Sequence, residues 1–372
     1  MRRNPWYRIG ATAAAVIVVA VLTGTFRLLE SHGAFTEIKP GFAGTCRSVS
    51  GVVGPEDIAI DTQDHVAFVS ATNRPARASG KPSPGDGLYA YNYLQPGAKL
   101  VKLGGTPSDF HPHGISLYRA PDGSLTLMAI NHRLDGTNSV DIFAVGYLGI
   151  DVTGDKGPVG ADLVRLKEVG SISSGLLVSP NDLAAVDQDR FYVVNDHTSK
   201  TQLGRWLDDN LVLPRTNILY FDGITFKVAA DGLNFPNGAA LSKDGRYLYV
   251  PESYARTLLT FERNIFSGQL KQVNALPIAS NLDNADVASD GSIWIGSHPD
   301  AFAMATYRND PSKPAPSEVF QVSVHNGVPQ SASLVYANMG EQIGASSVGA
   351  VSDGHLLIGS PFDSKILNCM LP

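Results

Sequence analysis

Six segments of this 372-residue chain repeat one grammar, and that repetition constrains the fold more than any single motif. They are Pro55-Glu56-Asp57-Ile58, Pro112-His113-Gly114-Ile115, Pro180-Asn181-Asp182-Leu183, Pro236-Asn237-Gly238-Ala239, Asp283-Asn284-Ala285-Asp286 and Ala345-Ser346-Ser347-Val348. Each opens on a small or polar pair and runs through an apolar stretch to a turn: Asp64, Asp122-Gly123, Asp189, Asp244-Gly245, Asp290-Gly291 or Asp353-Gly354. The stretches that follow, such as RFYVVND, RYLYVPES, SIWIGSH and HLLIGSP, set β-branched and aromatic residues between punctuating residues, as short strands do. Second positions lie between 47 residues (Asn237 to Asn284) and 68 residues (His113 to Asn181) apart, the interval of a four-stranded propeller blade with loop insertions. Six such units predict an all-β, six-bladed β-propeller around a central channel. The 37 glycines and 23 prolines suit many short strands joined by turns rather than a helix bundle. A net charge of −6 removes the electrostatic footprint of a general nucleic-acid binder.

The N-terminus is a separate object. Arg2, Arg3 and Arg8 precede an uncharged run from Ile9 to Phe26 that ends at Arg27. Those 18 residues are just long enough to span a hydrocarbon core as a helix. They outrun most signal-peptide apolar regions, and only Thr23-Gly24-Thr25 offers a weak cleavage site. The segment reads first as a retained signal anchor and second as a cleaved signal, which divides the chain into residues 1–33 (anchor and linker) and 34–372 (propeller). With the arginines held on the cytoplasmic side, the body is exported to a lumenal, periplasmic or extracellular space, membrane-anchored or secreted. In such a protein a lone pair of cysteines, Cys46 and Cys369, is bridged more often than free. Their bridge would join the first and last parts of the ring and restrict the unfolded chain over a very long loop.

The second position of the repeat holds Glu56, His113, Asn181, Asn237, Asn284 and Ser346. Equivalent positions of the blades face the same place, so these polar groups converge at one end of the channel, where they cannot stay dry and unpaired. With Asp283 beside Asn284, two carboxylates and three amides form a hard, oxygen-only donor set. Such a set suits Ca²⁺ better than Zn²⁺, which favours sulfur and imidazole, or Mg²⁺, which keeps more waters. Asx turns at strand starts would explain any one of these residues but not five in register. The third position adds Asp57 and Asp182, two carboxylates that would repel unless a second Ca²⁺ sits deeper in the channel.

These residues resemble the paraoxonases, calcium-dependent lactonases and arylesterases with a six-bladed propeller fold. The matching stretches are GPEDIAI (54–60), FHPHGIS (110–116), NHRLDGTNSVDIF (131–143), SPNDLAAV (179–186), FYVVNDH (191–197), GLNFPNGAALSKDGRYLYVPE (232–252), LDNADV (282–287), WIGSHP (294–299) and HLLIGSPF with Cys369. The resemblance implies that Glu56, Asn181, Asn237, Asp283 and Asn284 hold a catalytic calcium. It implies that Asp57, Asp182 and the carbonyl of Ile115 hold a structural one. Cys46 and Cys369 match the family's ring-closing disulfide, and His113 and His132 match a histidine pair proposed to activate water. Two stretches depart from the family. The loop ATNRPARASGKPSPGDG after the first repeat is longer and more basic than expected, and TSKTQLGRWLDDNLVLPRT (198–216) matches poorly where the family places lipid-facing helices and pocket aromatics. Substrate preference and lipoprotein association therefore do not transfer.

The expected reaction is hydrolysis of a lactone or aryl ester, with calcium stabilising the oxyanion and His113 deprotonating water. His132 would orient His113 or carry its proton outward, or serve only as a structural partner. Asp283 could instead assist the water or attack as a nucleophile. His298 and Ser346 are candidate pocket residues, and His197 reads as a structural partner. No Gly-x-Ser-x-Gly elbow occurs, which speaks against a covalent serine hydrolase. Two alternatives stay open. One is a propeller hydrolase of gluconolactonase or strictosidine-synthase-like type. The other is a calcium-stabilised, membrane-tethered binding propeller without turnover.

Overall fold

The computed structural model describes residues 5–81, 83–148 and 159–372; Arg2 and Arg3 lie outside them. The body is six four-stranded antiparallel sheets. Their first strands are Pro55–Asp61, Pro112–Arg119, Pro180–Ala185, Ala240–Leu241, Leu282–Val287 and Val348–Ser352. Each of these packs against the first strand of the next sheet and the last returns to the first, so they line the channel of a closed ring. The predicted six-bladed propeller is the observed fold.

Why the strands read as they do follows from the wedge packing. Each blade is sandwiched between two others, and the apolar core is six inter-blade clusters rather than one centre. The second strand of a blade is covered on both faces. Val66–Ala71, Phe191–Asn195 and Ile293–Ser297 are buried along their whole length, which is why they lack the polar alternation of a half-exposed strand. The turn signals mark the hairpins between first and second strands. In blade 6 both Asp353 (φ 51°) and Gly354 (φ 75°) are left-handed, the backbone a two-residue turn needs to match strand twist.

Blade 6 is assembled from both chain ends. Thr45–Ser50 adds as its outermost strand to Lys365–Met370, with Cys46 directly opposite Cys369, and the two are disulfide-bonded.

The apolar N-terminal run is a helix, α1 (Pro5–Ser31). Its window Ala14–Ser31 has a mean hydropathy of 1.7, and Val16, Ile17, Val19, Val21 and Leu22 stand exposed. Its end does enter the body. Asn281 Nδ2 donates to the Ser31 carbonyl at 2.7 Å, and the His32 ring is buried between Tyr254 (4.6 Å) and Phe302 (5.2 Å). A side chain at Gly33 (φ +80°) would strike the Pro299 carbonyl oxygen.

Three short helices follow the second strands of alternate blades: α2 (Arg74–Ala78) in blade 1, α3 (Gln202–Leu211) in blade 3 and α4 (Ala301–Asn309) in blade 5. In an up-and-down sheet, connections from second to third strand lie at the same end as the start of the first strand. The helices therefore crown the end of the channel where the repeat motifs begin.

Candidate active site

The repeat motifs sit where the ladder of the innermost strand is interrupted. Pairing between first and second strands shifts register between Pro55 and Asp57, between Pro112 and Ile115, between Pro180 and Asp182, and between Leu282 and Ala285. The residues left out of the ladder are Glu56, His113 with Gly114, Asn181, and Asp283 with Asn284. A bulge re-aims its side chains, and here the re-aimed residues are the polar ones of the repeat. Gly114 is obligatory for a second reason: a Cβ there would lie 2.3 Å from Asp182 Oδ1.

The five first-cluster residues come together. Asn181 Nδ2 donates to Asn237 Oδ1 at 2.5 Å, and Asn284 Nδ2 donates to Glu56 Oε1 at 2.8 Å. Glu56, Asn181, Asn237 and Asp283 line a cavity of about 230 Å³ with His113 and His298. All five are buried, yet among the described residues Glu56 Oε2, Asn181 Oδ1, Asp283 Oδ1 and Asn284 Oδ1 find no hydrogen-bond partner. Burial opposes charge on Glu56, but His113, Arg74 and the Asn284 amide outweigh it and hold its pKa to about 2. Asp283 goes the other way: burial lifts it to about 6 despite His298, whose Nδ1 is 3.4 Å from its Oδ2. Among the described residues no group of three or more His, Cys, Asp or Glu side chains is arranged to hold an ion, so any cation here depends on the amide oxygens.

The second cluster is built differently. Asp57 bridges to the next blade, Oδ2 accepting from the Ile115 amide at 2.7 Å, and Asp182 repeats the bridge to the Ala239 amide at 2.7 Å. Their other oxygens accept from Ile58 and Leu183. Burial, then the neighbouring Glu56 for Asp57 and Asp57 for Asp182, raises both pKa values well above the carboxylate range. Ile115 offers Asp57 its amide. A third carboxylate, Asp286, is lifted to about 6 by burial and adds its charge to Asp57; it stands in the fifth repeat motif, but no reading of the second or third position selects it.

The histidines form a chain. His132 Nδ1 is 2.7 Å from Asn138 Oδ1, and His132 Nε2 is 2.9 Å from His113 Nδ1. Asn138 spends its amide nitrogen on the Leu177 carbonyl at 2.9 Å, so its oxygen is the acceptor facing His132. His132 Nδ1 then carries a proton, His132 Nε2 accepts from His113 Nδ1, and His113 turns its Nε2 toward the ring, 3.5 Å from Glu56 Oε1. Burial, then His113 and Arg77, depresses the pKa of His132 well below that of a free imidazole.

Two other candidates separate. His298 lines the cavity, whereas Ser346 is fully buried and spends its hydroxyl on the Ser297 and Glu318 carbonyls of blade 5, at 2.8 and 2.9 Å. His197 is held between Asp196 (2.9 Å) and Asp209 (2.8 Å), a structural partner as its motif suggested. The sequence reading missed Asp196, which accepts from Asn181 Nδ2 at 3.2 Å, and Arg74, whose Nη2 is 3.7 Å from Glu56 Oε2.

Fold and site together define a six-bladed propeller carrying an oxygen-rich ring and a hydrogen-bonded histidine pair at one end of its channel. The arylesterase family model matches residues 45–371, and the chain belongs to that family. It is 31% identical over 336 residues to rat serum paraoxonase/arylesterase 1, covering 88% of this chain and 90% of the relative. Against human serum paraoxonase/arylesterase 2 the identity is 30% over 332 residues, 88% of each chain. Among solved structures, a luciferin-regenerating enzyme superposes with TM-score 0.51 at 10% identity, covering 88% of this chain and 95% of that one. The soluble aldose sugar dehydrogenase of Escherichia coli gives 0.50 at 13%, covering 88% and 100%. These two likenesses are of fold alone.

Proposed function

We propose that this chain is a calcium-dependent hydrolase of lactones and aryl esters, held by α1 on the exported side of a membrane. One observation carries the reading: among the described residues four buried side-chain oxygens of one cluster, on Glu56, Asn181, Asp283 and Asn284, lack hydrogen-bond partners. Each unpaired buried oxygen costs on the order of 1–3 kcal/mol, and a hard cation that takes about 6–8 oxygens relieves them together. Asn237 completes the set. Bound there, calcium supplies a positive centre that offsets charge developing on the substrate carbonyl oxygen. Membership of the arylesterase family, and the names of its serum paraoxonase/arylesterase relatives, support ester hydrolysis.

The chain's own residues handle the proton. His113 Nε2, the end of the histidine chain that faces the ring, accepts the proton of an attacking water when His113 is neutral. His132, kept neutral by burial, fixes the ring of His113 and takes its Nδ1 proton as hydrogen bond. Asp283, the second carboxylate of the ring, is the rival base. A second calcium between Asp57 and Asp182 would cancel their repulsion. The exposed apolar face of α1 and the disulfide support an exported, anchored protein.

The test is hydrolysis of phenyl acetate and an aliphatic δ-lactone by the detergent-solubilised chain, with Ca²⁺ or with excess chelator. Chelation is expected to abolish turnover, and Asn181→Ala or Asp283→Ala to lower kcat at least about a hundredfold with the fold retained. A folded, calcium-binding protein inert on a broad ester and lactone panel would favour the binding-propeller alternative. Turnover that survives verified metal removal would sink the mechanism.

A further inference from the structure

Beside the small cavity over the ring lies a larger one of about 710 Å³, and its walls carry four arginines: Arg74 and Arg77 on α2, Arg205 on α3 and Arg308 on α4. The two cavities adjoin, since Arg74, His113, Asp196 and Arg308 line both. Among the described residues only Arg74 of the four has a carboxylate within 4 Å, Glu56 of the ring at 3.7 Å. The others are held by neutral groups. Arg77 Nε donates to the His132 carbonyl at 3.1 Å, Arg205 Nε donates to the Ser199 carbonyl at 3.0 Å, and Arg308 lies 5.4 Å over the Phe362 ring. Among the described residues, the terminal nitrogens of Arg77 and Arg205 have no protein partner. The one acid on these walls, Asp196, is already paired with His197 at 2.9 Å.

This is an anomaly of charge. The chain has 35 acidic and 29 basic side chains, so carboxylates were not scarce, yet among the described residues three of the four guanidinium groups in this concave site have none within ion-pairing distance. Burial, then Arg74 next to it, depresses the pKa of Arg77, and Arg74 is itself depressed by burial. Grouped guanidinium forks with free terminal nitrogens are the arrangement that takes an oxyanion by paired, charge-assisted hydrogen bonds.

Resting on the hydrolase reading above, we infer that the substrate is an anionic lactone or ester, whose carboxylate or phosphate is held by Arg77, Arg205 and Arg308 while its carbonyl lies over the ring. The three helices that carry these residues come from alternate blades, so the cradle surrounds the entrance rather than flanking it.

The experiment compares phenyl acetate, 4-acetoxybenzoate and 4-acetoxyphenyl phosphate as ester substrates, and γ-butyrolactone with 5-oxotetrahydrofuran-2-carboxylate as lactones. At low salt kcat/KM for an anionic member should exceed its neutral partner at least about tenfold, and the ratio should shrink in high salt. Arg308→Gln and Arg205→Gln, which do not touch the histidines, should each lower that ratio about tenfold through KM, and Arg308→Lys should recover part of it. Which of the carboxylate and the phosphate gains more identifies the oxyanion. Equal kcat/KM for neutral and anionic members, with the neutral ones turned over, would overturn this inference and leave the hydrolase standing. If no ester or lactone is turned over, calorimetry of 4-hydroxybenzoate against phenol decides. Binding of the benzoate alone, weakened by Arg308→Gln, supports the cradle even as the hydrolase reading fails; equal binding, or none, overturns it.

Discussion

At the scale of single residues, proton positions in the histidine chain are set by an amide outside every repeat motif. Asn138 fixes the tautomer of His132 through its oxygen and is itself fixed by the Leu177 carbonyl. Asn138→Leu is therefore expected to lower kcat for phenyl acetate roughly tenfold to a hundredfold with little change in KM, while Asn138→Asp keeps an acceptor at His132 Nδ1 and retains more activity. An unchanged kcat in Asn138→Leu would mean that the pair takes no part in the proton's path. The ring residues were legible because the repeat places equivalent residues at equivalent points and their side-chain types agree. What the repeat could not reveal is the bulge. Strict alternation sends Glu56 and Asp57 to opposite sides, whereas the register shift lets both lie buried near one another. Ser346 shows the reverse failure: it holds the right place in the motif, but its hydroxyl is taken by blade 5.

At the scale of elements, the crown helices are anchored by local chemistry. Asn73 caps α2 by accepting from Ala76 N at 3.1 Å, Thr201 caps α3 and Asp300 caps α4. The Asn73 amide donates to the buried Asp86, which is paired in turn with His111 at 2.6 Å, so the basic loop is tied to blade 2. The basic character of that loop was visible in the sequence. That its arginines would meet those of two other helices was not, because the meeting depends on the ring bringing blades 1, 3 and 5 to one mouth. The end of α1 is a further case, since nothing in its apolar run announces that His32 docks between Tyr254 and Phe302. In the full chain His32→Ala should cost about 1–3 kcal/mol and lower Tm by roughly 2–4 °C, read by thermal unfolding in detergent; an unchanged Tm would make that docking energetically idle.

At the scale of the whole molecule, closure decides stability. A propeller has no central core to fall back on, and its six clusters exist only while each blade has both neighbours. The final cluster between blades 6 and 1 draws on Val49 of the outermost strand, which the disulfide ties down at Cys46, together with Val348, Leu357 and Ile366. Cys46→Ser is expected to destabilise the chain by up to about 6 kcal/mol in the chain-entropy estimate for so long a loop, and a reductant should reproduce the loss in the parent but not in the variant. Equal Tm with and without reductant would show that strand pairing alone closes the ring.

The composite blade also puts a clock on biosynthesis. The strand at Thr45–Ser50 has no partner until Lys365–Met370 has been made, and its cysteine must wait through a separation of 323 residues. At about 5–20 residues per second that is roughly fifteen seconds to a minute, during which an unpaired edge and a free thiol stand ready to join the wrong chain. Every molecule passes through that interval, and a ribosome that stops a few codons short leaves it there.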